Sequence, residues 1–431
     1  AWLDKINSAN HWYHTTSPIV WREINRRGGK AYLIGGLGEF WEYCYDYYGF
    51  QSRISKQDLS RMITDNLLIA SESKEKKDVV ISIIGASSMM MSLLIVELQD
   101  CIKLKPKEAV YLRLFDADLH DVDKADYLLE VVDEITPSLK WRPNCISLVS
   151  TIAEAVTDCD LLLVIEDFNR HPFETTNDWY RRCMTSMLFL AAEINTYAKR
   201  SLRVVLSHDG PLCFNASVLV ENCTKIRLAN IVAVTADEGM VTISKAAEHV
   251  DDLVENFWCP PVWGFSGTSS FVDVGRTVIK AEVCRPYRRT LTRKEGSRLP
   301  KGVILPELRV LGHLLKSDDA FYKRVETKKM GLKDISGQAH FAKIRATASL
   351  IRLWFAEENS DDIISLGVCS NGSFGFPPGV VFSQAVIQNE KRLWEPFTNF
   401  PVSRKATYRI HDISLEIGDL LKKYNLGEKM T

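Results

Sequence analysis

From residue 79 onward, short and almost purely apolar runs alternate with longer amphipathic stretches. Val79-Val80-Ile81-Ser82-Ile83-Ile84, Val110-Tyr111-Leu112-Arg113-Leu114-Phe115, Asp160-Leu161-Leu162-Leu163-Val164-Ile165 and Leu202-Arg203-Val204-Val205-Leu206 are of strand length. Runs with so little polar alternation are those of strands buried on both faces. The stretch before Leu202 is rich in Leu, Ala and Glu, as a covering helix would be. This order predicts an α/β fold built on a doubly wound parallel sheet. Ahead of it, the polar run from Ser71 to Asp78 reads as a linker, which sets residues 1–70 apart from the sheet-forming body of the chain.

Composition narrows the function classes. With 431 residues, 46% hydrophobic and 25% charged, the chain can bury sizeable cores. Lys and Arg number 54 against 55 Asp and Glu, so no global field favours nucleic acid or an anionic membrane. Apolar stretches break well short of the roughly 18 residues that span a bilayer. Ala1 has no basic and apolar leader behind it. The expectation is a soluble, cytoplasmic chain, with room for residues ahead of Ala1. Ten cysteines without C-x-x-C spacing read as buried thiols in a reducing compartment, and no His/Cys cluster has metal-ligand spacing, so no metal is expected. One segment departs from this neutrality. Cys284 to Arg298 holds Arg285, Arg288, Arg289, Arg293, Lys294 and Arg298, either a solvated loop or a docking surface for an acidic partner.

Residues 1 to about 54 are aromatic-rich, with Ser17-Pro18-Ile19-Val20-Trp21, Gly28-Gly29, Gly35-Gly36 and then Glu39-Phe40-Trp41-Glu42-Tyr43. This order resembles the second half of a thioredoxin or glutaredoxin-like domain: proline before a strand, a hairpin, Gly-Gly and a final helix. The resemblance implies a cis Ser17-Pro18 bond and Gly35-Gly36 just before a helix. The redox cysteines of that fold lie in its other half, so no thiol chemistry is expected.

The strand ending at Ile84 runs into Gly85-Ala86-Ser87-Ser88-Met89-Met90-Met91, the position of a dinucleotide-binding turn. Such a turn uses glycine for tight geometry, for backbone approach to a pyrophosphate and for close helix packing. Only Gly85 meets this; Ser88 and Met91 stand in the second and third places. Asp116, ending the next strand, matches the carboxylate that holds adenosine ribose hydroxyls.

Together with Leu114-Phe115-Asp116, Val262-Trp263-Gly264 and Ser365-Leu366-Gly367-Val368-Cys369-Ser370-Asn371-Gly372 through Gly375-Phe376-Pro377, this turn resembles landmarks of the cytosolic malate dehydrogenases. The Ser17-Pro18 and Arg27-Gly28-Gly29-Lys30 extension is similar to that of the malate dehydrogenase 1B subfamily. The resemblance implies a Rossmann-type NAD-binding domain over 79–232, an α+β substrate domain over 233–431, and a homodimer.

Carried over residue by residue, the implied active site is largely vacant. Of the mobile-loop arginines that clamp substrate, only Arg170 matches, and Thr176 stands where a second would be. His208 and Asp209 replace the Asn-Pro turn beside the nicotinamide. Asp237 matches the aspartate that orients the catalytic histidine, Met240 replaces the arginine for the distal carboxylate, and the histidine itself aligns with Ser266. Removing the hydroxyl proton of malate needs a base with a pKa near neutrality, which a serine hydroxyl is not. Of the other histidines, His249 falls on a predicted helix, while His171 in the mobile loop and His208 at the nicotinamide turn are placed near the site but lack a paired carboxylate in the required place.

The expectation is therefore a malate dehydrogenase-like protein with a degenerate site, NAD being the cofactor the resemblance implies. Its role would be structural, among other proteins of a larger assembly; the 1B resemblance points to the axoneme of the motile cilium or sperm flagellum. The alternatives are an active NAD-dependent L-malate dehydrogenase with an unconventional base, and an NAD(H) sensor without turnover. Ser266 and Met240 weigh against catalysis, Ser88 and Met91 against cofactor binding.

Overall fold

The computed structural model describes residues 2–23, 31–49, 78–102, 109–118, 121–139, 141, 145–250, 253–276, 278–280, 308–310, 341–356 and 362–427. The arginine-rich stretch 284–298 lies outside them. The chain divides into two compact units, Ala1–Lys76 and Lys77–Thr431.

In the first unit, helix α1 (Trp2–Asn10) precedes an antiparallel hairpin of β1 (Val20–Arg22) and β2 (Tyr32–Gly35), then helix α2 (Leu37–Tyr48). The Ser17–Pro18 bond is cis and Gly35-Gly36 immediately precedes α2, both as expected. The Gly36 amide donates to Glu39 Oε2 at 2.9 Å, satisfying one of the donors that the first turn of a helix leaves open.

The second unit opens with the alternation seen in the sequence. Strand β3 (Val79–Ile84) leads to α3 (Met90–Cys101), β4 (Val110–Phe115) to α4 (Val122–Ile135), and β5 (Ile146–Leu148) to α5 (Ile152–Val156). Then β6 (Leu161–Val164) leads to α6 (Thr176–Tyr197), β7 (Arg203–Leu206) to α7 (Leu212–Asn222), and β8 (Ile231–Val234) to α8 (Ala236–Val250). All six strands are parallel in the order β5-β4-β3-β6-β7-β8. The order reverses between β3 and β6, which opens a crevice at their carboxyl ends.

The sheet continues without a break into antiparallel strands. After β9 (Phe257–Trp258) come β10 (Val262–Phe265), β11 (Ser269–Val272), β12 (Val278–Lys280), β13 (Leu308–Val310), helix α9 (Phe341–Trp354), β14 (Ile364–Cys369), β15 (Val381–Gln388), β16 (Trp394–Pro396) and helices α10 (Arg404–Glu416) and α11 (Gly418–Lys423). Strand β14 pairs with β8, and β15, β10 and β11 follow outward, while β13-β12-β9 form a separate small sheet.

Successive strand residues feed opposite cores, as the period of two requires. Leu162, Val164, Val204, Leu206 and Ala233 pack with residues of α6, α7 and α10. Leu161, Leu163, Val205, Val232 and Val234 pack with Leu94 and Leu98 of α3 and with Ile351 and Trp354 of α9. Each fully buried aliphatic side chain contributes about 1.5–3 kcal/mol, so two filled faces hold the crevice walls rigid. The described cysteines are free thiols, most of them buried.

Candidate functional site

The crevice is a cleft of about 420 Å³ at the ends of β3, β4 and β6. Gly85 turns the chain there with φ of +89°, and a Cβ on it would lie 2.4 Å from the Glu166 backbone. Only glycine allows that left-handed conformation and that close an approach. The amides of Gly85 and Ala86 donate to the Phe115 carbonyl at 3.0 and 3.1 Å, tying the turn to the neighbouring strand.

Asp116 lines the cleft with its carboxylate already hydrogen-bonded within the protein. Its Oδ2 accepts from both the Ser87 amide, at 2.8 Å, and the Ser87 hydroxyl, at 2.6 Å, and its Oδ1 accepts from the Asp118 amide at 3.1 Å. Asp116 is buried. The side chain closes the β3–α3 turn, with both oxygens accepting hydrogen bonds from within the protein. Ser88 is similarly engaged, its hydroxyl accepting from the Met90 amide at 3.3 Å. Met91 is buried between α3 and the sheet, filling the place where a fingerprint glycine would let the helix approach.

The cleft is also negative. Asp116, Asp118, Glu166, Asp167 and Asp209 line it, and no lysine or arginine does among the described residues. Burial, and next the Asp116 carboxylate, push the Glu166 pKa up to about 7. A pyrophosphate would enter among like charges, with the Ser87 amide already engaged by a carboxylate. Two of these carboxylates are paired, Asp118 with Lys124 and Asp209 with Lys343, and the turn lacks the second and third glycines of a dinucleotide fingerprint.

At the other end of the site, the β10–β11 turn brings Ser266 to the first turn of α8. Ser266 is buried, and its hydroxyl donates to Glu238 Oε1. Ser270 donates to the other oxygen, Oε2, at 2.5 Å. The partner of position 266 is therefore Glu238, which corrects the expectation for Asp237. Adjacent helical residues point about 100° apart, and only one of the two can face β10. Sequence reasoning missed Glu238, although its adjacency to Asp237 was a visible signal.

Asp237 faces a different group, the buried Lys343 of α9. The Lys343 ammonium donates to Asp209 Oδ1 and to the His208 carbonyl, the latter at 3.0 Å, and lies 3.9 Å from Asp237 Oδ2. Burial opposes the lysine charge, but Asp237 and Asp209 outweigh it and hold the Lys343 pKa above its ordinary value. Burial pushes the Asp237 pKa up to about 6, against the attraction of Lys343. Lys343 was not anticipated. Its signal is positional, since it shares one helix face with Thr347, Leu350 and Trp354, all buried.

His208, expected beside a nicotinamide, is turned inward. Its Nδ1 lies 2.7 Å from the Asp209 carbonyl and its Nε2 3.2 Å from Asn215 Nδ2. These partners assign the proton to Nδ1 and leave Nε2 as acceptor. Burial lowers the His208 pKa to about 4, so the ring is neutral near pH 7. Both nitrogens are used within the fold.

The loop after β6 is pinned. Arg170 is exposed and donates to the Thr176 hydroxyl at 3.2 Å. Arg182 of α6, unremarked in the sequence, makes a bidentate pair with Glu174 at 2.9 and 3.0 Å and donates to the Asn169 carbonyl at 2.8 Å. The Arg182 side chain holds the Glu174 pKa down to about 2. Met240, on α8, packs against apolar side chains, without the charge a distal carboxylate needs. Among the described residues, no group of three or more His, Cys, Asp and Glu could hold a metal ion.

Comparison with known proteins agrees with this frame. Residues 1–82 match the family described as "Putative malate dehydrogenase 1B N-terminal domain". A "Putative malate dehydrogenase 1B" of Branchiostoma floridae is 25% identical over 96% of this chain and 78% of its own length. Malate dehydrogenase of Naegleria fowleri superposes with a TM-score of 0.63 at 18% identity, over 80% of this chain and 97% of that one. A Trichomonas vaginalis lactate dehydrogenase in complex with NADH and oxamate gives 0.62 at 16% identity, over 79% and 96%. The fold is that of the malate and lactate dehydrogenases.

Proposed function

We propose that this chain, which resembles malate dehydrogenase 1B over nearly its whole length, is a dehydrogenase-like protein that does not transfer hydride and serves as a structural component of a larger assembly. The observation that carries this reading is the Ser266 hydroxyl committed to Glu238 where the catalytic base should stand. A positioned base contributes about 10²- to 10⁴-fold to such a step. Around it, the Lys343 ammonium is shared between Asp209 and Asp237, and His208 is locked in place. Groups that would act on a substrate act on each other.

The assembly role follows from a retained fold with a surface under no catalytic demand. In the N-terminal unit Tyr45, Tyr47 and Tyr48 of α2 are exposed, and aromatic residues are enriched at protein interfaces. The partners are other proteins of the assembly, in the cytoplasm or the motile cilium to which the 1B resemblance points.

One observation favours residual turnover: Asp237, with a pKa of about 6, is tuned to a range in which a base can work. Its ionised form is balanced by Lys343, which faces it at 3.9 Å. Calorimetric titration of the full chain with NADH tests the reading at its cofactor end. No binding that depends on this cleft is expected; micromolar binding weakened by substitutions at Asp116 would overturn it.

A further inference from the structure

A second cavity lies at the opposite end of the parallel strands, where β7 and β8 begin. It measures about 630 Å³ and is lined by Arg200, Arg203, Lys225, Arg227, Lys391 and Arg392. No carboxylate lines it among the described residues. These cations come from three separate segments: the α6–β7 turn with the first residue of β7, the α7–β8 connection, and the β15–β16 turn.

The arrangement is built rather than incidental. Trp354, at the end of α9, is fully buried and holds two of the arginines' segments at once. Its carbonyl accepts from Arg203 Nη1 at 3.2 Å, and its indole N–H donates to the Arg392 carbonyl at 3.1 Å. The Arg203 guanidinium lies 5.2 Å from the Trp354 ring centroid and 4.9 Å from that of Phe355. Stacking of this kind fixes the plane of the guanidinium, so little freedom is left to lose on binding. Lys225 is steadied by the Thr196 carbonyl, to which its Nζ donates at 2.8 Å. The nearby Asp160 is engaged by Lys199 and by the Val80 amide. Burial first, and then the charge of Arg392, press the Arg203 pKa downward, as expected for cations gathered around one space.

We propose that this cavity binds a small polyanion carrying two or more phosphate groups, either free polyphosphate or the phosphate chain of a nucleotide. The volume suits a nucleotide-sized ligand, within the roughly 300–1,000 Å³ of small-molecule sites. Six cations exceed what one carboxylate or one monophosphate would neutralise, and arginine forks match phosphate oxygens in pairs. The site stands apart from the dehydrogenase cleft and does not depend on how that cleft is read.

The test is calorimetric titration of the full chain with inorganic tripolyphosphate and with ATP, at fixed ionic strength. Saturable binding is expected, weakened about tenfold or more by the double substitution Arg200→Ser and Arg227→Ser, both at exposed positions. Asp116→Asn, in the other cleft, should leave it unchanged. Tighter binding of ATP would assign the ligand to the nucleotides, and equal binding to free polyphosphate; both support the site. Absence of binding by either probe, or equal affinity in the Arg200→Ser, Arg227→Ser protein, overturns it.

Discussion

Glu238 accepts the hydroxyl of Ser266 on one carboxylate oxygen, and its second oxygen is taken by Ser270. A carboxylate that orients an imidazole needs an oxygen for the ring N–H; here both meet serine. The position expected to hold a base has become part of a packed polar contact between α8 and the β10–β11 hairpin.

Restoring the histidine alone should therefore fail. Ser266→His would face Glu238, but Met240 still offers no charge for a distal carboxylate and Asp116 stays bound to Ser87. Malate-dependent NAD reduction by this variant should stay at the buffer rate, followed by absorbance. Saturable turnover would show that the histidine was the sole deficit.

Lys343 should matter more for stability than any surface lysine. Lys343→Met would leave Asp209 and Asp237 without the buried ammonium between them. Breaking a buried pair from one side costs about 3–5 kcal/mol. Denaturant unfolding should show a loss of that order, reduced when Asp209→Asn and Asp237→Asn accompany it. A loss below about 1 kcal/mol would mean that the cluster is solvated.

Glu166 supplies a pH dependence of known sign. Its folded pKa is raised from 4.5 to about 7, so the folded chain holds a proton that the unfolded chain releases between those values. Its contribution to stability is fully present below about 4.5 and is lost as pH rises toward about 7. His208, lowered to about 4 from 6.5, acts oppositely, its contribution being lost as pH falls through that window. Comparing Glu166→Gln with the unmodified chain isolates the first effect. The variant should gain melting temperature relative to the parent between pH 5 and pH 8, and a constant difference would contradict the raised pKa.

Gly267 carries the hairpin against the His208–Pro211 turn. Its φ is +87°, and a Cβ there would lie 2.0 Å from the Gly210 carbonyl oxygen. Gly267→Ala should cost more than about 2 kcal/mol, since left-handed strain alone is about 1–2. Unchanged thermal unfolding would show that the hairpin shifts freely.

The parallel sheet was legible because strands buried on both faces leave unbroken apolar runs, as in Val79–Ile84 and Leu161–Ile165. Gly85 was legible because its conformation excludes other residues. Side-chain direction was not: Asp237 and Glu238 are neighbours in sequence, and only the placement of α8 against β10 decides which meets Ser266. The role of Asp116 depends on Ser87, 29 positions away, a pairing that appears only when β3 and β4 lie side by side. Lys343 escaped notice because a lysine in an amphipathic helix ordinarily marks the solvent face; here it closes a buried cluster with residues from two other segments.

Whether this dehydrogenase fold oxidises malate is decided by adding malate and NAD to the purified full chain and following reduced cofactor by absorbance. The expected rate is indistinguishable from buffer across the pH range in which Asp237 titrates. Saturable turnover that disappears in Asp237→Asn would contradict it.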